Sequence, residues 1–214
     1  MEFIKTVWKN RKLVWGLGRN DFKNRFASTS LGSIWGFLQP FIFMVTYVIV
    51  FQFILKTPAP GDYPYAVWFL PGLSMWMALN DTIVSASNSI RSYSYLVKKV
   101  VFPVDTIPII SIISSSFVSI FLFIIEFLPN VLMLIYILFA AFCFIIAFTR
   151  LTSAITTIVP DFSNLLGILM QLFFWFTPII WNLGMLNGHE TILTIVQCIP
   201  FTYLVTGIRE VFLG

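Results

Sequence analysis

From Phe26 to Leu55 the chain carries no charged residue. That block exceeds the ~20 apolar residues needed to cross the hydrocarbon core of a bilayer. Composition says the same of the whole chain. Hydrophobic residues make up 58% and charged residues 10%, whereas a soluble domain carries about a quarter charged residues. There is too little charge to cover a water-facing surface, so lipid is the solvent that fits.

Charges and prolines divide the remainder into further apolar blocks. The Pro-rich stretch from Lys56 to Tyr65 breaks the first span. The predicted spans cover 34–55, 66–84, 107–128, 131–155 and 165–181, with Pro129 and Asn130 forming a short turn. A polar loop, 86–104, separates the second and third. Arg150, Pro160 and Asp161 mark the end of the fourth. The tail, 182–214, holds two apolar stretches interrupted at Pro200. Stretches of that length are more often re-entrant or interfacial than spanning. The expected fold is an all-α membrane protein with one transmembrane domain over 1–214.

The placement of basic residues gives orientation. Lys5, Lys9, Arg11, Lys12, Arg19, Lys23 and Arg25 precede the first span, opposed by Glu2 and Asp21. Phe3, Ile4, Val7, Trp8, Leu13, Val14, Trp15 and Leu17 lie among them, a pattern suited to an interfacial helix within 1–32. A basic arm also fits a nucleic-acid tail, but the apolar block that follows at once makes it a cytoplasmic flank. The apolar segment is too long for a signal-peptide core. With the N-terminus inside, all of the thirteen Lys and Arg except Lys56 and Arg209 face the cytoplasm. The tail then lies outside.

Catalytic motifs are sparse. There is no Gly-x-x-x-x-Gly-Lys-Ser/Thr loop and no Gly-x-Gly-x-x-Gly turn, so any ATP must be bound by another chain. His189-Glu190 starts like a zinc-protease helix, but His189 is the sole histidine and no second ligand follows. No metal site is expected, and His189 reads as a surface residue. Cys143 and Cys198 read as packing residues. Asp81 and Glu126 are ionisable groups near predicted helix ends. They fit either a functional role or a reach to the interface. Ser28, Gly32 and Gly36 form a small-residue ridge at four-residue spacing, for packing within the chain or against a second copy. Aromatic residues make up 18% of the chain. Trp35, Phe37, Phe41, Trp76, Phe174 and Trp175 are candidates for stacking on sugar rings along a path. Packing against lipid is the alternative for each.

Four segments carry a family resemblance. The first is Arg19-Asn-Asp-Phe-Lys-Asn-Arg-Phe-Ala-Ser-Thr-Ser-Leu-Gly-Ser-Ile-Trp-Gly-Phe-Leu-Gln-Pro40. The second is Phe69-Leu-Pro-Gly-Leu73, followed by Trp76. The third is Leu96-Val-Lys-Lys-Val-Val-Phe-Pro103. The fourth is Val159-Pro-Asp-Phe162, followed by Phe174-Trp-Phe-Thr-Pro-Ile-Ile180. Together they resemble the permease subunits of bacterial ABC transporters that export cell-surface polysaccharides such as O-antigen and wall teichoic acid. The fourth departs from the family, which has Arg where Pro160 stands.

The resemblance implies a homodimeric channel in the bacterial cytoplasmic membrane with two ATPase subunits docked beneath it. It has no catalytic residues of its own, and ATP and Mg stay in the partner ATPases. Leu96, Val97, Lys98, Lys99, Val100, Val101 and Phe102 would form a coupling helix seated in each ATPase. The cargo would be a lipid-linked polysaccharide; membrane lipid is a partner and nucleic acid is not. The family's sixth span would follow two short outer helices and is expected to be absent from this chain, which ends at Gly214. The rival functions are an ABC permease for a drug or lipid, an intramembrane enzyme acting on lipid or glycan, and a passive scaffold.

Overall fold

Helices in this chain stop where proline removes a backbone donor or where a side chain competes for a backbone carbonyl. The computed structural model describes residues 2–95, 103–125 and 131–213. Among the described residues there are ten α-helices and no strand. They are α1 (Glu2–Lys9), α2 (Arg11–Arg25), α3 (Trp35–Val48), α4 (Tyr65–Ser87), α5 (Ser89–Ser92), α6 (Ile107–Ile125), α7 (Val131–Ile158), α8 (Phe162–Phe176), α9 (Glu190–Gln197) and α10 (Pro200–Leu213).

The N-terminal arm is two helices and a turn rather than one helix over 1–32. At the break, Asn10 Nδ2 donates back to the Thr6 carbonyl at 3.0 Å. After Arg25 the Thr29 hydroxyl donates to the Phe26 carbonyl at 2.8 Å, offering the backbone an alternative to the helix ladder. Gly32 takes the left-handed conformation that restarts the chain, with φ 55°. α3 then runs into a π turn over Ile49–Ile54. It ends with Lys56 left-handed and the Thr57 N–H donating to the Phe51 carbonyl at 2.9 Å, the long closing bond of a helix C-cap.

Among the described residues three helices are long and apolar enough to cross a membrane: Gly32–Ile54, Val104–Ile124 and Met133–Ile158. α9 and α10 form a pair bent by 86° that would count as a fourth if it crossed. α4 has the length, but Ser74, Asn80, Asp81 and Thr82 dilute its apolar surface. α8 falls short of the span expected over 165–181. Its 15 residues rise about 22 Å at 1.5 Å each, less than the ~30 Å hydrocarbon core. Pro178 is the reason: it has no N–H to continue the ladder.

Two compact units are built from these elements. One comprises Met1–Gly36, Ala78–Val118 and Phe142–Ile168. Its core gathers Val14 with Ile107, Ile109 and Ile110, flanked by Phe3 and Tyr93. Val14, Gly18 and Phe22 form the buried stripe of α2 at four-residue intervals. A Cβ on Gly18 would stand 2.6 Å from Ile113 Cγ2, so glycine permits the close approach of α2 and α6. Buried hydroxyls on α7 are satisfied within their own helix. Thr149 donates to the Ile145 carbonyl at 2.6 Å and Thr156 to that of Thr152 at 2.8 Å, which removes the cost of an unpaired polar group in an apolar surround.

The other unit comprises Phe37–Met77, Ser119–Ala141 and Leu169–Gly214. Phe69, Leu73, Ile179, Val205 and Ile208 are fully buried in it. Pro200 opens α10 at a first-turn position where its missing N–H has no cost. The Thr202 hydroxyl reaches back to the Val196 carbonyl at 2.8 Å across the bend.

Candidate functional site

Charged residues are scarce in this chain, and among the described residues ion pairs form at Arg25 and Arg150 while Arg209 is buried. In the first unit, Arg25 is the last charge before the long uncharged block. Its Nε donates to Asp21 Oδ2 at 3.1 Å, one helical turn back on α2. Its Nη1 donates to Asp81 Oδ2 on α4 at 3.2 Å and to Ser115 Oγ on α6 at 3.3 Å. The Tyr93 hydroxyl completes the group by donating to Asp21 Oδ1 at 2.5 Å. Burial, and then the bond to ionised Asp21, raise the Tyr93 pKa above its ordinary value. The cluster ties α2, α4, α6 and the stretch after α5 together through charge-assisted bonds.

In the same unit Arg150 Nη2 lies 3.3 Å from Asp105 Oδ2, and its guanidinium covers the Phe3 ring at 4.3 Å. Both charges are well exposed, so this pair is weak. A cavity of about 280 Å³ opens beside it, lined by Val104, Asp105, Pro108, Arg150, Ser153 and Thr157.

In the second unit Arg209 on α10 is 5% exposed. Its two Nη groups donate to the carbonyls of Pro178 and Ile179, just past the C-terminus of α8, where a cation meets the negative end of the helix dipole. The guanidinium lies 3.8 Å from the Trp68 ring centroid. It also rests against Gly72, where a Cβ would come within 2.7 Å of its Nη2. The Tyr65 hydroxyl donates to the next carbonyl, Ile180, at 2.7 Å. The motifs Pro71-Gly72 and Thr177-Pro178-Ile179 therefore belong to one bracket around a buried cation. Aromatic rings continue from it. Tyr65 stacks on Phe69 at 5.5 Å, and Trp76 meets Phe174 at 6.0 Å and Phe201 at 5.4 Å.

The sequence-derived candidates fall in different settings. Leu96 to Phe102 and Glu126 lie outside the described residues. Trp35, Phe41 and Trp175 are exposed on the chain. Phe37 is half-buried and meets Phe121 edge-on at 5.0 Å. Phe174 is also half-buried. Trp76 is 5% exposed and packs in the core, so it offers no free face to a ligand. Ser28 lies on the turn after α2, Gly32 opens the 3-10 turn that runs directly into α3, and Gly36 lies within α3. Gly36 alone makes a close approach, giving room to the rings of Phe22 and Phe26. His189 precedes α9 and is exposed. Cys143 and Cys198 are exposed rather than packed inside the chain. Among the described residues no cluster of His, Cys, Asp and Glu has the makings of a metal site.

The model of the ABC-2 type transporter family matches residues 12–213. The chain belongs to this family. The O-antigen export system permease protein RfbA of Myxococcus xanthus is 21% identical, covering 99% of this chain and 84% of that protein. A protein of the same description from Klebsiella pneumoniae is 24% identical over 91% of this chain and 77% of its own length. This ABC-2 chain is thus a transporter membrane protein. Two of its polar centres escaped the reading of the sequence. Arg25 and Asp81 were each visible as a lone charge at the edge of an apolar block, but nothing local pairs them. Arg209 had a signal, being one of two cations left on the side where the charge count puts few.

Proposed function

We propose that this ABC-2 chain is the membrane subunit of an ATP-driven exporter of a lipid-linked polysaccharide. The observation that carries the reading is similarity to O-antigen export permeases over nearly the whole chain. In this account two copies form the channel in the bacterial cytoplasmic membrane, with the bent α9–α10 pair on the outer side. Two ATPase subunits bind ATP and Mg and close on it. Leu96 to Phe102 transmit that closure, with Lys98 and Lys99 meeting acidic groups of the ATPase. ATP drives transport because it favours one arrangement of the membrane helices over another.

The order of charges along the sequence supports an internal N-terminus. Lys5, Lys9, Arg11, Lys12, Arg19, Lys23 and Arg25 precede the first apolar block, and of the later cations only Lys56 and Arg209 fall on segments read as external. Along the sequence, the basic residues before the first span and in the polar loop mark the side that the positive-inside rule assigns to the cytoplasm. α1 and α2 then lie along the inner interface, with Trp8, Leu13 and Trp15 exposed for lipid. Exposed Trp35, Phe41 and Trp175 supply aromatic faces for the glycan path.

Co-expression with an ABC ATPase subunit from the same host tests the assembly. The expected product is a stable complex of two membrane and two ATPase chains in nanodiscs. Replacing Leu96 to Phe102 with alanine should leave the membrane chain inserted and break its link to ATP hydrolysis. Folded chains that never associate would overturn the reading.

A further inference from the structure

A cavity of about 380 Å³ lies beside the Arg209 bracket, in the unit that holds α9 and α10. It is lined by Tyr63, Trp68, Asn182, Thr206, Arg209 and Glu210, among others. Its size falls within the roughly 300–1,000 Å³ typical of small-molecule sites. The wall is fixed. Arg209 spends both Nη groups on carbonyls and covers one face of Trp68, so neither side chain is free to swing away.

The other lining groups have hydrogen-bonding capacity to spare. The Asn182 oxygen accepts from the Gly184 N–H at 3.0 Å, and its NH₂ has no partner among the described residues. The Thr206 hydroxyl donates to the Thr202 carbonyl at 2.7 Å, which leaves its oxygen able to accept. Glu210 is exposed and forms no ion pair among the described residues. The buried Arg209 Nε–H also lacks a partner.

This mixture selects a ligand class. A lone anion would meet the Glu210 carboxylate. An acyl chain would leave the Asn182 and Glu210 groups unpaired, and it has a better fit in the 270 Å³ cavity bounded by Phe41, Met44, Val45, Val48, Phe53 and Leu70. A sugar ring satisfies both kinds of group, because each hydroxyl donates and accepts, while its C–H face packs on the half-buried Tyr63 ring of the lining. We propose that the cavity is a binding subsite for one sugar unit of the exported glycan. Asn182 and Glu210 bond to its hydroxyls, and Arg209 acts as a positioning residue that holds the wall. The inference rests on the export reading above.

The test uses the native host of this chain and reads its surface glycan. In a deletion strain, the wild-type chain restores the glycan. The double variant Asn182→Ala/Glu210→Gln reaches the membrane at the wild-type level and displays roughly tenfold less glycan, the loss of one or two hydrogen bonds to the cargo. In an otherwise wild-type chain, Leu213→p-benzoylphenylalanine on the cavity wall forms a photo-adduct that periodate degrades as a glycan. Full display by the double variant, or an adduct carrying phospholipid alone, overturns the subsite and leaves the export reading standing. Normal glycan in the deletion strain itself overturns both.

Discussion

At the scale of single residues, two glycines make opposite demands. A Cβ on Gly18 would press on Ile113 Cγ2 and Cβ and stand 3.2 Å from the Ile110 carbonyl, none of which is a flexible tip. Gly18→Ala should therefore cost about 1–3 kcal/mol by overpacking. A drop in apparent Tm in detergent, partly reversed by adding Ile113→Ala, is the expected result. On Gly207 the Cβ would meet chiefly Ile137 Cδ1 at 2.5 Å, the end of a side chain that can turn. There the ~0.5–1 kcal/mol gained by alanine over glycine in a helix offsets the clash, and Gly207→Ala should leave Tm nearly unchanged. The Tyr93–Asp21 bond predicts a pH effect of definite sign. The fold prefers the protonated phenol, so its pKa is raised. The stabilisation is complete below the unfolded value near ~10 and is lost as pH rises through the higher folded value. Ultraviolet titration of tyrosinate should show a late component that Tyr93→Phe diminishes by one tyrosine. None of these partners was legible in the sequence. Asp81 and Arg25 stand 56 positions apart, and Gly18 shows no motif that names Ile113. Side-chain pairing across helices depends on rotation and register, which hydropathy does not encode.

At the scale of elements, the sequence was most legible where composition alone decides. The uncharged block after Arg25 is helical from Gly32 to Ile54, and the apolar run after Pro103 gives a helix from Val104 to Ile124. Boundaries set by local hydrogen bonds were less so. The Asn10 and Thr29 side chains split the arm expected over 1–32, and Pro178 ended α8 before Trp181. Trp76 looked like a path residue because spacing cannot distinguish a buried ring from a presented one. The proposed interfacial placement of α1 carries its own prediction. Trp8 is 69% exposed on a helix with Lys5 and Lys9. A variant keeping Trp8 as its single tryptophan should be quenched by lipids brominated near the headgroup more than by lipids brominated deep in the chain. Equal quenching, or quenching from water alone, would contradict an interfacial helix.

At the scale of the whole molecule, the charge asymmetry, the match to the ABC-2 family over 12–213 and the likeness to O-antigen export permeases point the same way. The most direct measurement is the location of the glycan in a strain deleted for this chain. The account predicts that lipid-linked polysaccharide disappears from the cell surface and accumulates on the cytoplasmic face. The wild-type chain should restore display only when the partner ATPase can hydrolyse ATP. Undiminished surface glycan in the deleted strain, or full restoration beside an ATPase unable to hydrolyse ATP, would contradict it.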